Sequence, residues 1–209
     1  MLERSVRPAT VDDRTRVVET FVAAFVDDPA LGFFFPGAMY AECAPTFVGA
    51  LFDRRVGAGT VWVADGGAAM AMWDAPTTGT LAEFEAPSPE LPADARARLE
   101  AYDAAVLGVL PYRPYWYLGV LATHPDRAGQ GLGRAVMAAG LRAAGAAGLP
   151  AYLETTNPAN VDLYRRLGWQ IVQPVPEPLP IWVMTHPGLP GSAENGGRRS
   201  AGDAGRITT

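Results

Sequence analysis

Leu118-Gly119-Val120-Leu121-Ala122-Thr123-His124-Pro125-Asp126-Arg127-Ala128-Gly129-Gln130-Gly131-Leu132-Gly133-Arg134 is the stretch on which the reading of this chain turns. Its first part continues a strand-forming run of aromatic and branched residues that begins at Tyr115. Its last part opens a helix rich in alanine, leucine and methionine, expected from Leu132 to Ala147. Between the two, Gly129, Gly131 and Gly133 leave successive backbone N–H groups uncrowded where the helix starts. Such a turn can wrap a pyrophosphate, because unsatisfied amides and the helix dipole both attract an anion. Arg134, in the first helical turn, adds a charged donor. The spacing is G-x-G-x-G, which is not the dinucleotide-binding fingerprint. A turn of this kind can also be a plain connection between strand and helix, so its neighbours decide its meaning.

Downstream, Ala151 to Thr156 reads as a strand and Pro158 to Leu167 as a short helix. Asn157 suits its N-cap, Pro158 its first position and Gly168 its stop. Asn160 and Tyr164, four apart, share a face of that helix. Tyr164 by itself also suits a core aromatic with its hydroxyl at the surface. Two last strands are expected at Gln170–Pro174 and Ile181–Thr185. Upstream, Ser5 to Thr10 reads as a short strand. Thr10 can cap a helix whose first turn holds Asp12 and Asp13, with Val17, Val18, Phe21, Ala24 and Phe25 on one apolar face. Phe33 to Gly37 breaks that pattern, and a second helix is expected over Ala41 to Arg54. Thr60 to Trp73 reads as a β-hairpin turning at Asp65-Gly66-Gly67. A long surface connection over 74–94 borders a substrate pocket, and helix returns from Ala95 to Leu107.

Alternating strands and helices with an early hairpin give an α/β fold around a mixed sheet of six to seven strands. The 209 residues, 49% of them hydrophobic, suffice for one core. A single domain over 1–186 is expected, followed over 187–209 by a glycine-rich segment with scattered charges and hardly any apolar anchors, read as a disordered tail. The net charge of -5 argues against nucleic acid as a partner. All 17 basic residues are arginine, which excludes Schiff-base and pyridoxal chemistry and a lysine-dependent phosphate loop. Cys43 is the single cysteine, so no intrachain disulfide forms, and with only His124 and His186 no metal site is expected. No secretory signal and no apolar run of membrane-spanning length is visible, so a cytoplasmic protein with no membrane partner is expected, a monomer or homodimer.

Strand, glycine turn and long helix, followed by a strand and an N-x-x-x-Y helix in that order, resemble the acetyl-CoA motifs of the GNAT N-acetyltransferases. Val61-Trp62-Val63-Ala64-Asp65, Leu153-Glu154-Thr155 and Tyr164-Arg165-Arg166-Leu167-Gly168-Trp169 are similar to the puromycin N-acetyltransferase-like enzymes within that superfamily. The resemblance implies a mostly antiparallel sheet with a splayed parallel pair in its middle. It implies acetyl-CoA as co-substrate and a small-molecule amine as acceptor, an antibiotic among the possibilities, which would make resistance the role. An amine of another kind, a protein N-terminus, or a non-catalytic acyl-CoA sensor are the alternative readings.

Carried onto this chain, the resemblance assigns the pyrophosphate to Gly129, Gln130, Gly131, Leu132, Gly133 and Arg134. It assigns the pantetheine arm to the main chain of Leu121, Ala122 and Thr123, with an amide such as that of Leu121 polarising the thioester carbonyl. Asn160 is expected to hold the cofactor and Tyr164 to protonate the leaving thiolate. Glu154 is the candidate base, directly or through a water; its other reading is a carboxylate that orders nearby hydroxyls. Glu83 and Glu85 are secondary candidates. Ala128 departs from the family, which usually has Gln or Arg there, and Arg127 is the candidate substitute. Thr123 stands where a branched apolar residue is common, and Leu31 to Cys43 has no counterpart in the puromycin enzyme.

Overall fold

The apolar strands assemble as one seven-stranded sheet in the order β1-β2-β3-β4-β5-β7-β6. The computed structural model describes residues 5–76 and 90–189. The strands are β1 (Arg7–Pro8), β2 (Val61–Ala64), β3 (Ala69–Asp74), β4 (Trp116–Thr123), β5 (Ala151–Thr155), β6 (Gln170–Val175) and β7 (Ile181–His186). Neighbours pair antiparallel throughout except β4 with β5, which are parallel. Parallel neighbours need a crossover, and α5 (Leu132–Ala146) supplies it.

That parallel pair is in register only at Trp116↔Ala151, Tyr117↔Tyr152 and Leu118↔Leu153. Past Leu118, β4 stays with β3 as far as Thr123↔Ala69, while β5 stays with β7 as far as Thr155↔Trp182. The two strands therefore part, and between Gly119 and Thr123 one edge of β4 has no strand opposite. A register shift at Met72/Trp73, where Val120 and Leu118 are the partners, makes Gly119 the extra residue of a bulge. A bulge bends its strand and sharpens the local twist, which is what turns β4 away from β5 at this point.

Both faces of the sheet are covered. On one lie α1 (Arg14–Ala24), α2 (Pro29–Phe34), α3 (Met39–Val56) and α4 (Ala93–Leu107), with Phe21, Phe34, Phe52, Met70, Met72 and Val120 among the buried residues there. On the other, α5 and α6 (Pro158–Arg166) enclose Ala71, Trp73, Leu118, Val136, Met137 and Trp169. β3 thus sends Met70 and Met72 one way and Ala69, Ala71 and Trp73 the other, the period of two that a strand covered on both faces requires. Leu189, three residues past β7, is still attached, its N–H bonding the Leu141 carbonyl of α5 at 2.9 Å. The tail expected over 187–209 lies from residue 190 onward outside the described residues.

One helix departs from the sequence reading. The aromatic run read as a break at Phe33–Gly37 contains the end of α2, which starts earlier, at Pro29. Asp28 caps it, Oδ1 accepting from Ala30 N at 2.9 Å and Leu31 N at 3.2 Å. Asp-Pro is a start signal that outweighs the aromatic run after it. Upstream, Thr10 caps a single 3-10 turn, Val11–Asp13, and α1 proper begins at Arg14.

Gly140 supplies a test of this packing. A Cβ there would sit 2.2 Å from the indole of Trp73, which is fully buried. Helix propensity alone favours Gly140→Ala by about 1 kcal/mol. Overpacking against a ring that has no room to move costs about 1–3 kcal/mol. Urea unfolding is expected to show Gly140→Ala less stable than the parent; a gain would mean α5 lies further from β3 than described.

Candidate active site

The site begins at the end of β4. A 3-10 turn, Pro125–Arg127, leads to Gly129 and Gly131, whose φ angles of 73° and 74° are left-handed. Gly131 is the N-cap of α5. Among the described residues, no amide from Gly129 to Arg134 has a hydrogen-bond partner, and the ladder of α5 opens with Ala135 N to Gly131 O at 3.1 Å. A row of free amides therefore stands at the positive end of a 15-residue helix. A Cβ at Gly133 would lie 2.9 Å from Thr123 Oγ1, so glycine lets the helix start close against the end of β4. This row, with exposed Arg134 beside it, fits a pyrophosphate. Arg127, expected to stand in for the side chain missing at Ala128, instead pairs with Asp65 of the β2–β3 turn at 3.3 Å. The groups left facing the turn are the main-chain amides and Arg134.

The open edge of β4 follows from the hairpin register. His124 N bonds Ala68 O at 2.8 Å, and Ala122 is paired with Met70. Main-chain groups alternate sides along a strand, so those of Ala122 point to β3 and those of Leu121 and Thr123 point into the gap. Of the three residues expected to bind a pantetheine arm, Ala122 is thus committed to β3, and its side chain is buried.

Beside this edge lies a cavity of about 640 Å³, bounded by Leu118 to Leu121, by Glu154, Thr155 and Thr156, by Asn160 and Tyr164, and by α1 to α4. Glu154 stands where β5 leaves β4. The Tyr117 hydroxyl, from β4, donates to its Oε2, and the Tyr102 hydroxyl, from α4, also bonds the carboxylate. Burial pushes the Glu154 carboxyl up to about 7, the Tyr117 bond pulling it down and the charge of Asp103 raising it. A carboxylate so placed exchanges a proton near neutral pH.

Asn157 caps α6, its Oδ1 accepting from Ala159 N at 3.0 Å, and this sets the helix that carries Asn160 and Tyr164 to the cavity. Tyr164 is 8% exposed and its ring meets Trp169 at 6.1 Å between centroids. Burial first, and the Glu154 charge second, push its hydroxyl up, so it holds its proton at neutral pH and can give one. Leu121, Glu154, Asn160 and Tyr164 therefore border one cavity, and the glycine turn closes the end of the strand that forms its wall. Glu83 and Glu85 lie outside the described residues. Cys43 is buried in α3, burial pushing its thiol up.

Sequence reasoning missed Tyr117, Tyr102 and Asp103, and the pair Arg54–Arg55 that holds Asp74 at 3.4 and 2.6 Å. Tyr117 was read as one of a run of strand-forming aromatics. The usable signal was its polar hydroxyl two residues before the bulge glycine. For Asp103 the signal was an acidic residue adjoining a tyrosine in an otherwise alanine-rich helix.

An open strand edge that ends in a turn of free amides, beside a cavity with a carboxylate and a tyrosine, has the shape to take an extended, anionic ligand. Residues 97–169 match the family model described as Acetyltransferase (GNAT) family. A Corynebacterium glutamicum protein described as a histone acetyltransferase and related acetyltransferase is similar at 25% identity, over 90% of this chain and 98% of that one, with a TM-score of 0.61. A mosquito arylalkylamine N-acetyltransferase-like protein is 19% identical over 87% and 98%, with a TM-score of 0.63. The C-terminal condensation domain of Ebony, solved with β-alanyl-dopamine, is 13% identical over 88% and 99%, with a TM-score of 0.67. The segment that matches the GNAT acetyltransferase family holds the glycine turn, α5, β5 and α6, and the fold around it is that of a GNAT acetyltransferase.

The environment of Glu154 has a measurable consequence. Its folded-state value lies above the ordinary carboxylate range, so the fold holds this proton more tightly than the unfolded chain does. Stability is therefore lost as pH rises from the ordinary carboxylate range through about 7. Glu154→Gln escapes that loss. Its melting temperature relative to the parent is expected to climb between pH 5 and pH 8 and to level off above. A difference independent of pH would show that Glu154 is not held as described.

Proposed function

We propose that the protein transfers the acetyl group of acetyl-CoA to the amine of a small molecule with an apolar body. The observation that carries this is the placement of Glu154 and Tyr164 on one cavity beside the open edge of β4. The amine enters from the α1–α4 side and its nitrogen attacks the thioester carbon. The N–C bond forms and the C–S bond breaks. Glu154 takes the proton the nitrogen sheds, directly or through a water, and Tyr164 gives one to the departing thiolate. The Leu121 N–H, aimed into the gap, is placed to stabilise charge developing on the carbonyl oxygen. Leu121, Thr123 and the amides of Gly129 to Arg134 hold the donor along the strand and its turn, with Asn160 beside it.

An apolar acceptor is favoured by the walls: Phe21, Phe25, Phe34, Phe47, Leu31 and Leu51 line the cavity. The described relatives named for an arylalkylamine and solved with β-alanyl-dopamine point the same way. An aromatic amine antibiotic such as puromycin is one acceptor of this class.

The direct assay is release of free thiol from acetyl-CoA across a panel of amines, puromycin included. Release that depends on the amine, and that falls by about a hundredfold or more in Tyr164→Phe, is the expected result. Full turnover in Tyr164→Phe would remove that residue from the chemistry. Binding of acetyl-CoA without release for any amine would leave the protein a sensor.

A further inference from the structure

We infer that Asp103 is the specificity-determining residue of the acceptor pocket, its carboxylate holding the ammonium group of an apolar acceptor at the cavity wall. This rests on the reading of the cavity as an amine site and adds to it the residue that selects the charge.

The charges around the cavity separate into those that are answered and those that are not. Asp74 is held by Arg55 at 2.6 Å and by Arg54 at 3.4 Å. Asp28 accepts two amides at the start of α2. Arg96, also on the wall, donates to the neutral Leu91 carbonyl at 3.3 Å and keeps its charge. Among the described residues Glu154 is bonded by neutral groups, the hydroxyls of Tyr117 and Tyr102 and its own backbone amide. Asp103 lines the same cavity, is accessible, and among the described residues forms neither an ion pair nor a hydrogen bond. Arg54, whose charge bears on Asp103, has Asp74 as its ion-pair partner.

Two carboxylates with no ion pair among the described residues therefore face one apolar chamber; the charge of Asp103 raises the cost of ionising Glu154, while the Arg54 charge only partly offsets what burial costs Asp103. Glu100, one turn before Asp103 on α4, lines the chamber as well and adds to the negative field. A cation bound there relieves all three, whereas an anion meets repulsion. Tyr102, next to Asp103, is locked edge-on against Phe34, with ring centroids 5.0 Å apart and planes at 88°. That contact fixes the turn of α4 and so the direction of Asp103. Burial raises the Asp103 carboxyl to about 6, which leaves it mostly ionised at pH 7.5. An ammonium is thus gathered at Asp103 and gives its proton up to Glu154.

Calorimetric titration at pH 7.5 with 2-phenylethylammonium and with its neutral analogue 2-phenylethanol tests the assignment without need of turnover. The parent is expected to prefer the ammonium by about tenfold or more, the range of a hydrogen bond to a charged group. Asp103→Asn is expected to lose about tenfold in ammonium affinity while binding the alcohol within about twofold of the parent. Asp103→Glu restores the preference, and equal melting temperatures of the two variants exclude misfolding. No binding of the ammonium to the parent, equal binding of both probes, or an undiminished preference in Asp103→Asn would overturn the inference. Amine-dependent thiol release without an ammonium preference would sink the role of Asp103 and leave acetyl transfer standing. An ammonium preference without thiol release would do the reverse.

Discussion

Everything the site does depends on β4 and β5 parting after three paired positions. A strand in the middle of a sheet normally has both edges spent on its neighbours. Here the bulge at Gly119 turns β4 away just where β5 would have claimed its second edge. The amides freed at Leu121 and Thr123 would be a liability on an ordinary sheet, since unpaired main-chain groups invite stray pairing. Within the gap they become a template for one extended ligand, and the free amides at the N-terminus of α5 extend that template to a phosphate. The same parting sets the cavity beside the open edge, so both border one gap.

The chemistry follows from what the gap does to its neighbours' charges. Glu154 sits at the fork because β5 carries it there, and burial raises its proton affinity into the range of a useful base. Two tyrosine hydroxyls keep it from rising further, which makes β4 and α4 as much a part of the acid–base apparatus as β5. Tyr164, pushed the other way from any loss of its proton, stays a donor. A carboxylate that takes and a phenol that gives are thus separated by environment.

Much of this was legible locally. The hairpin is written in Asp65-Gly66-Gly67 between two apolar runs, and α5 and α6 begin where Gly131 and Asn157 say they should. The glycine turn announced free amides before any fold was known. What was not legible depends on which neighbour a residue meets. Nothing in Leu121-Ala122-Thr123 marks which main-chain groups are spent, and only the register with β3 shows that Ala122 faces the wrong way. Arg127 beside the turn looked like a phosphate ligand until the hairpin brought Asp65 to it. Tyr102 and Asp103 lie on α4 and Tyr117 on β4, some way before β5 in the chain, and no local period predicts that they converge on Glu154. The start of α2 is written in Asp28-Pro29, a cap and first-turn pair that prevails over the aromatic run after it.

Amide hydrogen exchange with and without coenzyme A, resolved residue by residue by NMR, tests the central claim most directly. The account predicts new protection at Leu121, at Thr123 and from Gly129 to Arg134, with Ala122 unchanged because β3 already holds it. Protection that spares the β4 edge and the turn, or that falls on Ala122 and not on its neighbours, would contradict it.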